Sequence, residues 1–202
     1  NEAGAIRYKF DISANTLNVQ EVYNPGDGLV DARVKAVITD DECDLFTTAS
    51  SGASGCRIFA TPAGLSMYIQ RIGTGSDAIF DTWQNYRYHD ATGIPEGNIT
   101  ALKWLNQDIT DDAGNTTSLN HLLVGTKRHG MASCGPNQLQ SADFNAQGIA
   151  TRLSCTPYNT TNYEDFPDDS VNDFELDSFG RLWVATGLQG ITPNGSGGIG
   201  VA

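Results

Sequence analysis

The chain has 202 residues, 39% of them hydrophobic and 18% charged, a balance that supports one core and excludes an intrinsically disordered chain. Twelve Lys and Arg stand against 24 Asp and Glu, a formal net charge of −12, so no basic stripe exists to displace the counterions of a nucleic acid. No run approaches the roughly 18 apolar residues of a membrane-spanning helix, and 22 glycines among many Ser, Thr and Asn favour short strands joined by frequent turns.

The chain starts at Asn1 rather than methionine, as it would after removal of a targeting leader. Within residues 1–30, an alternating stretch puts Ile6, Tyr8, Phe10 and Ile12 on one face of a strand, and Leu17 and Val19 follow in a second. Three related runs come next. One is Arg57-Ile58-Phe59-Ala60-Thr61-Pro62-Ala63-Gly64-Leu65; another is His121-Leu122-Leu123-Val124-Gly125-Thr126 with Gly130-Met131; the last is Arg181-Leu182-Trp183-Val184-Ala185-Thr186 with Gly190-Ile191. Each reads as a buried strand, a threonine, a tight turn that needs the positive φ of glycine, and a second strand.

Strand candidates precede the three runs at 34–39, 99–105 and 171–176, and further ones follow at 78–88 and 149–155. The spacing predicts a single domain over 1–202 with repeat units at 31–97, 98–169 and 170–202. In the first two units the first connection is longer, carrying Asp40-Asp41-Glu42 in one and residues 108–115 in the other, because a loop absorbs extra length at low entropic cost.

The last copy, Val171-Asn172-Asp173-Phe174-Glu175-Leu176-Asp177-Ser178-Phe179-Gly180-Arg181-Leu182-Trp183-Val184-Ala185-Thr186, resembles the two-component-regulator propeller repeat, with Ala185 where that repeat has glycine. The second copy keeps Val124-Gly125-Thr126 but has Leu123 in place of the tryptophan. The resemblance implies an all-β fold, a small β-propeller of about three to four blades, and no particular function. A degenerate fourth blade would have to lie between Ser133 and Asp169. The last unit runs into a glycine-rich end too short for two outer strands. The N-terminal strands are therefore expected to complete either the last blade or a neighbouring molecule's blade.

Four cysteines, Cys43, Cys56, Cys134 and Cys155, lack zinc-ligand spacing, and their even number favours two disulfides in an extracellular or periplasmic compartment. Of the three pairings open, the local ones, Cys43–Cys56 and Cys134–Cys155, are favoured because each closes one loop. Calcium is the cation that the acidic loops could take, with Asp40, Asp41, Asp108, Asp111 and Asp112 as ligands, although none follows the helix-loop-helix calcium order. His89, His121 and His129 are scattered and no hydrolase motif occurs, which leaves a secreted lyase or hydrolase on the same fold as a third reading, its site assembled from distant loops.

Trp83, Tyr86 and Tyr88 could stack on carbohydrate or on a partner, with Tyr86 and Tyr88 sharing one strand face and Trp83 the other; Trp104 and Trp183 read as core. Lys35 and Lys103 occupy similar places in innermost-strand candidates and call for a carboxylate partner or water. The expected function is that of a non-enzymatic extracellular scaffold whose partners are copies of itself, in a fibre or surface assembly. The alternative is a propeller that binds or senses carbohydrate or another small molecule, as part of a receptor.

Overall fold

The computed structural model describes every residue except 1–3, 42, 44–45, 49–52, 72–79, 89–93, 111–113, 115, 136–138, 140, 188–198 and 202. Among the described residues the fold is all-β, thirteen strands with only short 3-10 turns at Pro25–Asp27 and Ser141–Asp143. Strands β1 (Ala5–Asp11) and β2 (Thr16–Tyr23) pair only with each other. A first sheet follows in simple meander order: β3 (Ala36–Asp40), β4 (Ala53–Thr61), β5 (Gly64–Arg71) and β6 (Phe80–Tyr86). A second has β7 (Ile99–Thr110), β8 (Thr116–Thr126), β9 (Met131–Cys134) and β10 (Cys155–Tyr158). A third has only β11 (Val171–Leu176), β12 (Leu182–Thr186) and the short β13 (Ile199–Val201). These sheets close into neither a barrel nor a ring among the described residues.

Side-chain alternation divides the core into layers. Ile58, Ala60, Met67 and Ile69 of the first sheet meet Leu102, Leu122 and Val124 of the second in the largest cluster. The opposite face of the second sheet, through Ala101, Leu123 and Met131, meets Val171, Phe174 and Val184 of the third. Phe59 and Tyr68, on the far side of the first sheet, gather Tyr23 and Leu29. The order in space is hairpin root, first sheet, second sheet, third sheet. Each fully buried aliphatic side chain in these layers contributes about 1.5–3 kcal/mol.

The threonine of the related runs has a specific task. Thr61 Oγ1 donates to Gly64 O at 2.8 Å and accepts from Ala63 N at 3.1 Å. Thr126 Oγ1 donates to Gly130 O at 2.8 Å and accepts from His129 N at 3.1 Å. Both threonines are fully buried, so the hydroxyl satisfies turn groups that water cannot reach. The second and third sheets also share a bulge: Ile99 and Val171 pair with Thr126 and Thr186, and the register slips by one residue immediately afterwards.

Several expectations need correction. Residues 149–154 do not begin a strand; Ile149 and Ala150 make isolated bridges to Thr47 and Phe144 and fill the largest cluster, and β10 starts only at Cys155. The described residues of 133–169 therefore build part of the second sheet and its cover rather than another sheet. The added length in the second unit extends the β7–β8 hairpin instead of forming a loop. The N-terminal strands do not complete the third sheet of their own chain, whose last strand comes from the C-terminal end. Trp183 is not core: it is 37% exposed on the outer face of the third sheet, its Nε1 donating to Asp177 Oδ2 at 3.1 Å. Its counterpart in the second sheet, Leu123, is buried because the third sheet covers that face. The same contrast explains Ala185. A Cβ at Gly125 would lie 2.7 Å from Val171 Cγ1, whereas Ala185 shares the outward face of Trp183.

Candidate functional site

The β1–β2 hairpin is built on alternation with one interruption. Its register pairs Ile6 with Val22, Tyr8 with Val19 and Phe10 with Leu17, with a bulge between Arg7 and Tyr8. Paired residues point to the same side of a sheet. Strict alternation from Leu17 and Val19 would turn Val22 to the opposite face. The bulge restores it, so six large apolar side chains share one face. They are half-exposed or more: Ile6 51%, Tyr8 49%, Phe10 51%, Leu17 64%, Val19 57% and Val22 53%. The other face carries Arg7, Lys9, Asn18 and Glu21, and ends at the root in Ala5 and Tyr23. At the tip, Asp11 Oδ1 accepts from Ser13 N at 2.9 Å, Ser13 Oγ at 2.6 Å and Ala14 N at 3.1 Å, and Asn15 takes φ 51°. The Ser13 hydroxyl, then the Ala14 amide, holds the Asp11 carboxyl below its ordinary value.

The root is anchored firmly. Tyr23 is 5% exposed, its ring 5.1 Å from that of Phe59, 5.3 Å from Tyr68 and 6.0 Å from Trp83. Its hydroxyl donates to Glu21, which also pairs with Arg7 at 3.0 Å and Arg57 at 3.6 Å. The Arg57 guanidinium lies over the Tyr23 and Tyr68 rings at 5.8 and 5.3 Å. Because Ala5 and Tyr23 face the first sheet, the apolar face of the hairpin is turned away from the body of its own chain.

At the opposite end of the molecule, a groove of about 530 Å³ opens between the second and third sheets. Its floor is Leu105, Leu123 and Met131, its far wall Leu182 and Val184, and its rim Tyr158, Tyr163 and Phe166. Tyr158 and Tyr163 stack at 4.9 Å, and His121 Nδ1 lies 2.7 Å from Ser133 Oγ on the groove face of the second sheet. A second cleft of about 380 Å³ is polar, lined by Thr39, Asp40, Asp41, Trp104, Asn106 and Asn120. There Trp104 Nε1 donates to Thr39 O at 3.1 Å and its ring packs 6.1 Å from Phe46.

The sequence candidates separate. Cys43 is bonded to Cys56, and Cys134 to Cys155, joining β10 to β9 where the two cysteines are direct partners. Of the three aromatic candidates, Trp83 is half-buried and Tyr86 fully buried. Trp83 packs among Tyr23, Phe59 and Tyr68, while Tyr86 is 2% exposed on the other face, donating to Ala150 O at 2.8 Å. Burial pushes the Tyr86 hydroxyl pKa well up. Tyr88 alone of the three is exposed. Asp40 and Asp41 reach the polar cleft and Asp108 lies in β7, whereas Asp111, Asp112 and His89 fall outside the described residues. No three metal-ligating side chains converge among the described residues. Lys103 finds its carboxylate: Nζ lies 2.7 Å from Glu175 Oε2, linking β7 to β11.

Alternation alone does not reveal Val22, because a bulge is invisible to a period of two. The groove residues come from five separate segments, and no local signal joins them. No helix among the described residues is long and apolar enough to cross a membrane, and the two disulfides suit an oxidising compartment. Compared with family models, curated proteins and solved structures, the chain matches none.

Proposed function

We propose that this protein is a non-enzymatic, self-associating structural subunit whose N-terminal hairpin is donated to another copy of the chain. The observation that carries this reading is the hairpin's apolar face, six large side chains on a two-stranded sheet that the described residues leave half-exposed or more. An isolated two-stranded hairpin is marginal in water, and a contiguous exposed apolar patch of this kind marks a contact surface. The three other sheets are read as blades of a small propeller-like body, supported by the shared threonine turns and the shared bulge of the second and third sheets.

Light scattering and negative-stain microscopy of the native protein test the proposal. The parent chain is expected to form oligomers or filaments that grow with concentration. The double variant Tyr8→Lys/Phe10→Lys is expected to stay monomeric with an unchanged melting transition, since both positions are already half in water. A variant that assembles like the parent would overturn the proposal.

A further inference from the structure

We infer that the groove between the second and third sheets is the seat of the donated hairpin, and that the occupant is β1–β2 of a second copy. The inference rests on the hairpin-donation reading and adds the acceptor. Three observations converge on it. The first and second sheets have four strands, but the third has three among the described residues, the last only Ile199–Val201. β9 and β10, the outer strands of the second sheet, contribute Met131 and Tyr158 to the groove, opposite where further strands of the third sheet would stack.

The two faces match as well. Towards the groove the third sheet shows Leu182 and Val184, and on its other side Asp173 and Glu175 are exposed. The hairpin has the same division, Ile6, Tyr8 and Phe10 against Arg7 and Lys9. Laid alongside β13, it would continue both the apolar and the polar face of that sheet, with main-chain hydrogen bonds to the edge that β13 leaves unpaired among the described residues.

Donation within one chain is opposed by the root. Tyr23 is held on the far side of the first sheet with the apolar face turned outward, so filling its own groove would mean unseating Tyr23 from Phe59, Tyr68 and Trp83. Donor and acceptor are therefore different surfaces at opposite ends of one molecule. Such a head-to-tail contact generates an open chain of subunits unless its rotation happens to close.

The test is complementation between full-length variants. Leu182→Arg places a charge in the groove, and Tyr163→Glu changes its rim at a side chain already 45% exposed, so the second variant keeps the test valid if the first folds poorly. Each groove variant alone is expected to lose filaments, with at least a tenfold slower assembly for Tyr163→Glu. Mixed with Tyr8→Lys/Phe10→Lys chains, whose groove is intact, each is expected to give a complex of two chains and stop. Groove variants that polymerise like the parent overturn the groove assignment while leaving hairpin donation standing. Groove variants that stay single in the mixture also overturn it. Assembly of the hairpin variant by itself overturns the donation reading, and with it this one.

Discussion

Two hairpins of this molecule share antiparallel pairing and a tight turn, yet one lies at its centre and the other stands outside it. In β4–β5, both faces are apolar: Ile58, Ala60, Met67 and Ile69 face the second sheet, and Phe59 and Tyr68 face the hairpin root. In β1–β2, one face is apolar and the other charged, and the apolar one has no cover among the described residues. Strand propensity and alternation are comparable in the two. What separates them is whether a second layer takes up the apolar face, and in β1–β2 no such layer is present among the described residues.

Breaking the inner hairpin should have the largest effect. Gly64 takes φ +131°, and a Cβ there would lie 2.2 Å from Tyr86 O. Gly64→Val combines backbone strain with a backbone clash and should cost about 4 kcal/mol, leaving a chain without a cooperative transition in urea. A normal transition would show that this turn is less constrained than its geometry indicates.

The comparison sharpens when one apolar residue is shortened in each hairpin. Ile58→Ala, at 1% exposure, should lose about 3 kcal/mol of stability. Phe10→Ala, at 51% exposure, should change the stability of the dissociated chain by less than about 0.5 kcal/mol while weakening assembly. Equal losses in denaturation would mean that the outer hairpin is packed in the free molecule.

The smallest effect lies at the outer turn. Asp11 titrates below its ordinary value near 3.8, chiefly because Ser13 donates to it. A carboxylate with a depressed folded pKa contributes stability that is present above its unfolded value and lost as pH falls through the folded one. An NMR titration should place the Asp11 midpoint below 3.8, and Ser13→Ala should move it up. Midpoints that coincide in the two proteins would show that the turn does not form in solution.

Much of this architecture is legible in the sequence because its signals are local. Alternation in residues 5–19, the threonine–glycine turns at Thr61 and Thr126, the strand at 171–176 and the short disulfide loops each depend on residues near one another in the chain. What the tertiary structure alone decided is which faces are covered. Alternation puts Tyr86 and Tyr88 on one face, but Ala150, 64 residues away, buries Tyr86 and accepts its hydroxyl hydrogen bond. Leu123 and Trp183 occupy the same place in related strands, and only the third sheet's position makes one core and the other surface. The bulge that gathers Val22 with its five neighbours, and the apolar groove between the second and third sheets, likewise arise from pairing and stacking across the molecule. Local pattern sets which way a side chain points along its strand; burial depends on what another part of the chain, or another chain, brings against it.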